Sequence, residues 1–328
     1  MAIGKGSDFV IYNEEFYGGM AEAIAQNLAV FNAASAGSVR LVANKLIGDY
    51  NKESFLQDVA NLITRRDLTS VSAATDLAMT QAEFIGVKVH RKIGPATQTL
   101  DAWRKIGKDQ REMSFKLGGM IGERKTQDMV NTSIMAVEAA LEGQASQNHD
   151  GTGSTLTHGL LNTALSKMGD AGNRVVAWVM HSSSWYQLAG QSITDKITNV
   201  ADVQIKEGTA FSLGRPTIVT DAASLFEVGA TTTADDAYAV LGLVSGAVVC
   251  TESEDQDLVS EVVTGLEQLS FRIQGEYAFN LNMKGMQWDI GNGGANPLDT
   301  AIATTTNWDK IATDAKDLPG VRLTVDAA

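Results

Sequence analysis

The sequence predicts a mixed α+β fold, and three patterns carry that expectation. Over residues 113–142 apolar side chains recur at three-four spacing, the period of one long helix. In FIGVKVHRKIG and LSFRIQGEYAFNLNM they alternate, the period of half-exposed strands. RVVAWVM, followed by HSSS and WYQLAG, reads as strand, cap and helix.

Taken in order, residues 1–75 read as a polar N-terminal arm. EEFYGGMAEAIAQNLAVF places an amphipathic helix near residues 20–31. SVRLVANKLIGDY and KESFLQDVANLITRRDL suggest two more helices, with Ser38 and Ser54 near their starts. The second carries Phe55, Val59, Leu62 and Ile63 at helical spacing. Residues 76–107 read as an extended hairpin. Ile85, Val87 and Val89 alternate with Lys88 and His90, Gly94-Pro95 signals a turn, and ATQTLDAW returns. Its rim is basic, with Lys88, Arg91 and Lys92.

Residues 108–170 hold the long helix, about 45 Å at 1.5 Å per residue, and a following loop, QNHDGTGSTLTHG. The helix stripe runs Met113, Leu117, Met120 and then Val130, Ile134, Val137, Leu141, with the polar stretch GERKTQD between. Gly118, Gly119 and Gly122 each cost about 1 kcal/mol relative to Ala in a helix interior. They mark either a kink or the close approach of another backbone. Residues 171–264 hold the strand–helix unit, with Ser182, Ser183 and Ser184 as cap candidates. A short strand follows Arg215-Pro216, and AYAVLGLV and GAVVC flank Ser245-Gly246. Residues 265–328 begin with an antiparallel pair broken at Gly275. They end in TNWDKIATDAKDLPGVRLTV, a Trp, a short helix, a Pro-Gly turn and a strand. That ending carries too much apolar surface for a frayed terminus. Trp308 is expected to anchor it, and residues 321–325 to add a strand to a sheet edge.

Composition narrows the function. The chain has 328 residues, 44% apolar and 20% charged, with room for one large or two modest cores. A net charge of −13 disfavours gripping DNA or an anionic membrane. The longest apolar run, residues 239–250, is shorter than the ~20 residues of a bilayer helix. MAIGKGSDF lacks the apolar segment of a signal peptide. Cys250, the one cysteine, has no intrachain partner and reads as a buried hydrophobe. Folding in a reducing cytoplasm is expected.

Chemistry is sparse. His90, His149, His158 and His181 do not fall at zinc spacing, so no metal or cofactor is expected. GTGSTL lacks the ending of a phosphate loop, and HSSSW lacks a nucleophile elbow. TESEDQD groups Glu252, Glu254, Asp255 and Asp257. Oxygen ligands suit calcium, but the spacing is not that of an EF-hand, and a solvated acidic edge is expected. No catalytic residue is assigned. An arm without its own core, a projecting hairpin, which is marginal alone in water, and a strut with a polar middle all call for neighbouring copies.

The order of parts resembles the major capsid proteins of tailed bacteriophages, the Hong Kong 97-type shell fold. VHRKIGPATQTLDAWRKIG resembles that fold's extended loop (E-loop), and DMVNTSIMAVEAAL the end of its spine helix. RVVAWVMHSSSWYQLA and LGRPTIVTDAA resemble its axial-domain segments, and GEYAFNLNMKGMQWD its late peripheral strands. The ending, with Asn296-Pro297 before it, resembles the signature of one subfamily.

The resemblance implies an N-terminal arm, an E-loop hairpin, a peripheral domain with a long spine helix, and an axial domain with a central mixed sheet. It implies self-assembly through hexamers and pentamers into an icosahedral virion shell, built in the host bacterial cytoplasm around double-stranded DNA held without sequence-specific contacts. Partners would be a separate scaffolding protein, a portal and a decoration or cement protein, with no membrane. Inter-subunit contact candidates are Lys88, Arg91, Lys92, Glu252, Glu254, Asp255, Asp257 and Trp308, the basic rim of one copy meeting the acidic edge of another. No maturation cleavage is expected, and no Lys–Asn cross-link is assigned to Lys88, Lys92 or Asn296. Removing residues 306–328 should abolish assembly. Two other readings stay open: an encapsulin-like compartment shell, and an α+β hydrolase using Ser183 or Ser184.

Overall fold

The computed structural model describes residues 13–43, 48, 50–56, 63, 65–66, 68–69, 73, 76, 81–99, 101, 110–199, 213–229, 236–263, 267 and 270–327. Along the chain run α1 (Asn13–Ala34), β1 (Val39–Ala43), β2 (Tyr50–Leu56), β3 (Gln81–Thr99), α2 (Gln110–Glu142), β4 (Asn148–Gly151), α3 (His158–Ser166) and β5 (Val175–Met180). Then come α4 (Ser182–Asn199), β6 (Thr217–Val219), β7 (Phe226–Glu227), β8 (Ala237–Val244), β9 (Val248–Val263) and β10 (Ser270–Met283). The chain finishes with β11 (Met286–Trp288), α5 (Ile290–Gly293), α6 (Asp299–Ile302), β12 (Trp308–Lys310) and β13 (Gly320–Asp326).

The strands form two large sheets and a small ribbon. One sheet has the order β1-β9-β10-β3-β2; β1 runs parallel to β9 and the other pairs are antiparallel. The other has the order β4-β13-β8-β5-β6, with β7 also on β8, and mixes parallel and antiparallel pairs. β11 and β12 make the ribbon. The Ser245-Gly246 turn is where the sheets join, since β8 ends in one and β9 begins in the other.

α2 is continuous over 33 residues and ties the two ends together. Its second half is buried almost all round, with Ile134, Val137, Ala140 and Leu141 inside a large core that also holds Trp178, Leu241, Phe279, Trp288 and Leu323. Its first half lies against α1 over a separate small core of Phe16, Met20, Phe271 and Ile273. Here the glycines resolve the choice between kink and close approach. A Cβ on Gly118 would sit 2.1 Å from the Phe16 carbonyl oxygen, and one on Gly19 would sit 2.4 Å from that of Phe115. The two helix backbones touch, which larger residues forbid. The arm helix therefore finds its packing partner in its own chain.

Several sequence expectations are corrected. Residues 39–43 and 50–56 are strands where helices were expected. Over so few residues alternation and helical spacing overlap, and the partner strands decide. Beyond residue 56 the stripe of that second segment lies mostly outside the described residues. Gly94-Pro95 and Gly275 do not reverse the chain: β3 runs through 19 residues and β10 through 14. The two sites lie side by side, because Gly275 pairs with Ile93 and the register shifts between Ile273 and Gly275. Gly94, at φ +75°, supplies the extra residue of a β-bulge. The expected loop at residue 148 contains the edge strand β4. The carboxy-terminal strand β13 lies inside its sheet, between β4 and β8, and not at the edge.

Candidate assembly surfaces

Most of the charges singled out in the sequence face one another within the chain. On β3, Lys88 is 5% exposed and its Nζ lies 2.5 Å from a Glu254 carboxylate oxygen on β9. That contact holds the Glu254 carboxyl below its ordinary range. Arg91 reaches Asp128 of α2 at 3.0 Å, Asp299 of α6 at 2.7 Å and Thr132 at 2.9 Å. Burial works against its charge, but the two aspartates outweigh it and raise its pKa. Glu252 pairs with Lys125, which lies in the polar stretch GERKTQD. Tyr277 donates to Asp128 at 2.7 Å, and burial followed by that carboxylate pushes the phenol up.

The polar middle of α2 thus faces a polar belt on the sheet. The expected basic rim and acidic edge are only partly solvated, because β3 and β9 flank β10 in one sheet and bring them together. Sequence separation of 166 residues hides the Lys88–Glu254 pair from local reading. Trp308 is 4% exposed; its Nε1 donates to the Ile302 carbonyl at 2.9 Å, and its ring meets Trp288 edge-on at 5.0 Å. Asp255 lies on β9, its side chain outside the described residues.

Lys92 and Asp257 stay exposed, and they meet at one place. On the outer end of the five-stranded sheet, the face away from α1 and α2 forms an open groove of about 390 Å³. Lys92, Glu276 and Asp257 form one row across β3, β10 and β9, and Arg272 and Glu261 pair in another at 3.7 Å. Val259, 68% exposed, lies among them. Along β10 the change is plain: exposed positions alternate up to Glu276, then residues 277–281 are buried on both faces.

The serine run has a different role from the one expected. His181 caps α4, its Nδ1 accepting the Ser183 backbone N–H at 3.2 Å, while its Nε2 lies 3.6 Å from Asp221. Ser183 Oγ accepts from the Tyr238 hydroxyl at 3.2 Å, and Ser184 is buried. With Nδ1 taken by a backbone amide and Nε2 turned to Asp221, this imidazole is not set to take a proton from either serine. Cys250 is fully buried, which pushes its thiol pKa up. No helix of the described residues is long and apolar enough to cross a membrane.

Two sheets are thus spliced at one turn and braced by a helix of 33 residues, and one of them carries an open charged groove. The family model Gp13-like, described as major capsid protein 13-like, matches residues 8–322, and the chain belongs to that family. It is a major capsid protein of a tailed-phage head shell, and its role is structural rather than enzymatic. Among solved structures the chain is similar to one titled as the cyanophage Pam1 capsid asymmetric unit, with TM-score 0.53, 10% identity and 88% of each chain covered. It is also similar to one from Mycobacterium phage Adephagia, with TM-score 0.49, 14% identity and 90% of each chain covered. No curated protein sequence matches it.

Proposed function

We propose that copies of this chain form the hexamers and pentamers of an icosahedral shell enclosing double-stranded DNA. In this reading α2 is the spine helix, and with α1 and the five-stranded sheet it makes the peripheral part. The six-stranded sheet makes the axial part near the capsomer centre. The E-loop is built on β3, with β2 paired antiparallel to it. The observation that carries the reading is the course of α2: one helix laid along the long sheet at one end and sunk into the shared core at the other, inside a chain whose family builds capsids.

Lys92 and Asp257, exposed in the groove, are the contacts offered to neighbours. Such exposed pairs set register more than strength, so cohesion comes from many modest interfaces closing into one particle. The net charge of −13 suits an inner wall along which DNA must slide, because a basic lining would hold it by counterion release. A separate scaffolding protein, a portal and a decoration protein are the accessory partners of this reading, and assembly takes place in the host cytoplasm. Electron microscopy of the purified chain tests it. Closed particles of uniform size are expected, and a monomer at every concentration would sink the reading.

A further inference from the structure

β13 (Gly320–Asp326) is an interior strand of the six-stranded sheet. It pairs antiparallel with β8 and parallel with β4, and Val321, Leu323 and Val325 are fully buried. Among the described residues β4 has no other strand partner. Until β13 is seated, β8 presents an open edge and β4 has nothing to pair with.

The slot is marked by charge and by shape. Arg322 is 3% exposed. Its Nε donates to Glu138 of α2 at 2.9 Å and its Nη2 to Glu227 of β7. Its Nη1 donates to Asn148 of β4 at 3.3 Å and to Thr324 at 2.7 Å, and its backbone N–H to the Gln147 carbonyl at 2.9 Å. Without that guanidinium, two carboxylates from distant elements face an empty space. At the entrance a Cβ on Gly320 would sit 2.0 Å from the Gly242 carbonyl oxygen, and on the β4 side one on Gly151 would sit 2.8 Å from that of Thr324. The slot fits a strand that starts with glycine, carries a guanidinium two residues later, and presents Val, Leu and Val at every second position.

We propose that the gap between β4 and β8 is a strand-binding site whose ligand is the chain's own carboxy-terminal segment. Seating of Arg322 is the closing step of folding, and only the seated subunit enters the shell. The gating rests on the shell reading above; the strand site does not. The physical reason for a gate is the β8 edge: left open, it is a template for pairing with other chains, a hazard for a protein made in many copies.

The test uses the full chain carrying Gly320→Val, whose own strand cannot enter, with a labelled synthetic peptide of residues 317–328. The variant should bind the peptide and the wild type, already filled, should not. A peptide carrying Arg322→Gln should bind roughly a hundredfold more weakly, because it leaves the buried Glu138 carboxylate, and the part-exposed one of Glu227, without their cation. Should Gly320→Val unfold the whole chain, the full chain with Arg322→Gln gives a second measurement. Hydrogen exchange at residues 148–151 and 320–326 should rise roughly tenfold or more while β3, β9 and β10 keep their protection. Unchanged protection at those residues in Arg322→Gln, or equal peptide binding by wild type and variant, overturns the site. Particles built from chains with the strand unseated overturn the gate. Wild-type protein with the expected exchange pattern that never forms particles overturns the shell reading and leaves the strand site standing.

Discussion

The two cores of this subunit are held by different means. At the outer end, Phe16, Met20, Phe271 and Ile273 are the buried side chains of the small core, and α1 stays in place because glycines let it touch α2 backbone to backbone. At the inner end, α2 is surrounded by apolar side chains from both sheets, and buried charge is confined to paired groups such as Arg322 with Glu138. Between them lies the polar belt of Lys88, Arg91, Lys125 and Asp128 with their partners. The difference teaches that one helix can serve two packing regimes, provided its sequence changes along its length: small and polar residues first, then large apolar ones.

The comparison can be broken at the inner end with the largest effect. Leu141→Ala, fully buried, should cost about 2–5 kcal/mol, read from the urea midpoint of the dissociated subunit. A loss below about 1 kcal/mol would mean that the inner core is loosely packed. Gly118→Ala should cost about 1–3 kcal/mol through overpacking, with the damage confined to α1. Hydrogen exchange would then rise in residues 15–25 while β8 and β13 stay protected, and equal loss in both regions would show a single cooperative core.

Glu138→Gln removes the titrating group from the buried Arg322–Glu138 pair, and the pair is tested through its pH dependence. Burial raises the Glu138 pKa, with Arg322 opposing. The folded chain therefore holds that proton more tightly than the unfolded chain does. The stability so gained is full below the ordinary glutamate range and is lost as pH rises through the folded pKa. The stability of the variant relative to wild type should therefore fall as pH drops from 7 towards that range, and a relative stability that rises instead would reverse the sign. The smallest effect on the subunit belongs to the groove. Lys92→Glu should change subunit stability by under about 0.5 kcal/mol yet lower particle yield, and an unchanged yield would remove the groove from assembly.

Much of this architecture was legible in the residues. The period of residues 113–142 gave the long helix, RVVAWVM gave β5, and Ser245-Gly246 gave the turn between β8 and β9. The candidate surface was half legible: Lys92 and Asp257 are exposed, but Glu276, Arg272 and Glu261, which share their groove, carried no local signal. Gly94 and Gly275 were visible as breaks and misread as turns. A glycine reports that the backbone needs freedom or space there, and does not say whether the chain reverses or a neighbour comes close.

By itself, then, the sequence determined the local periods, the acidic balance and the positions where a side chain is forbidden. The tertiary structure decided which strand lies inside and which at the edge, and whether a charge meets solvent or a partner. β13 reads like an edge strand because it is short and terminal, and it is central because β4 lies on its far side. Lys88 reads as solvated because it alternates with valines, and it is buried because Glu254 stands beside it. Alternation fixes which face a residue takes, whereas burial of that face depends on segments far away in the chain.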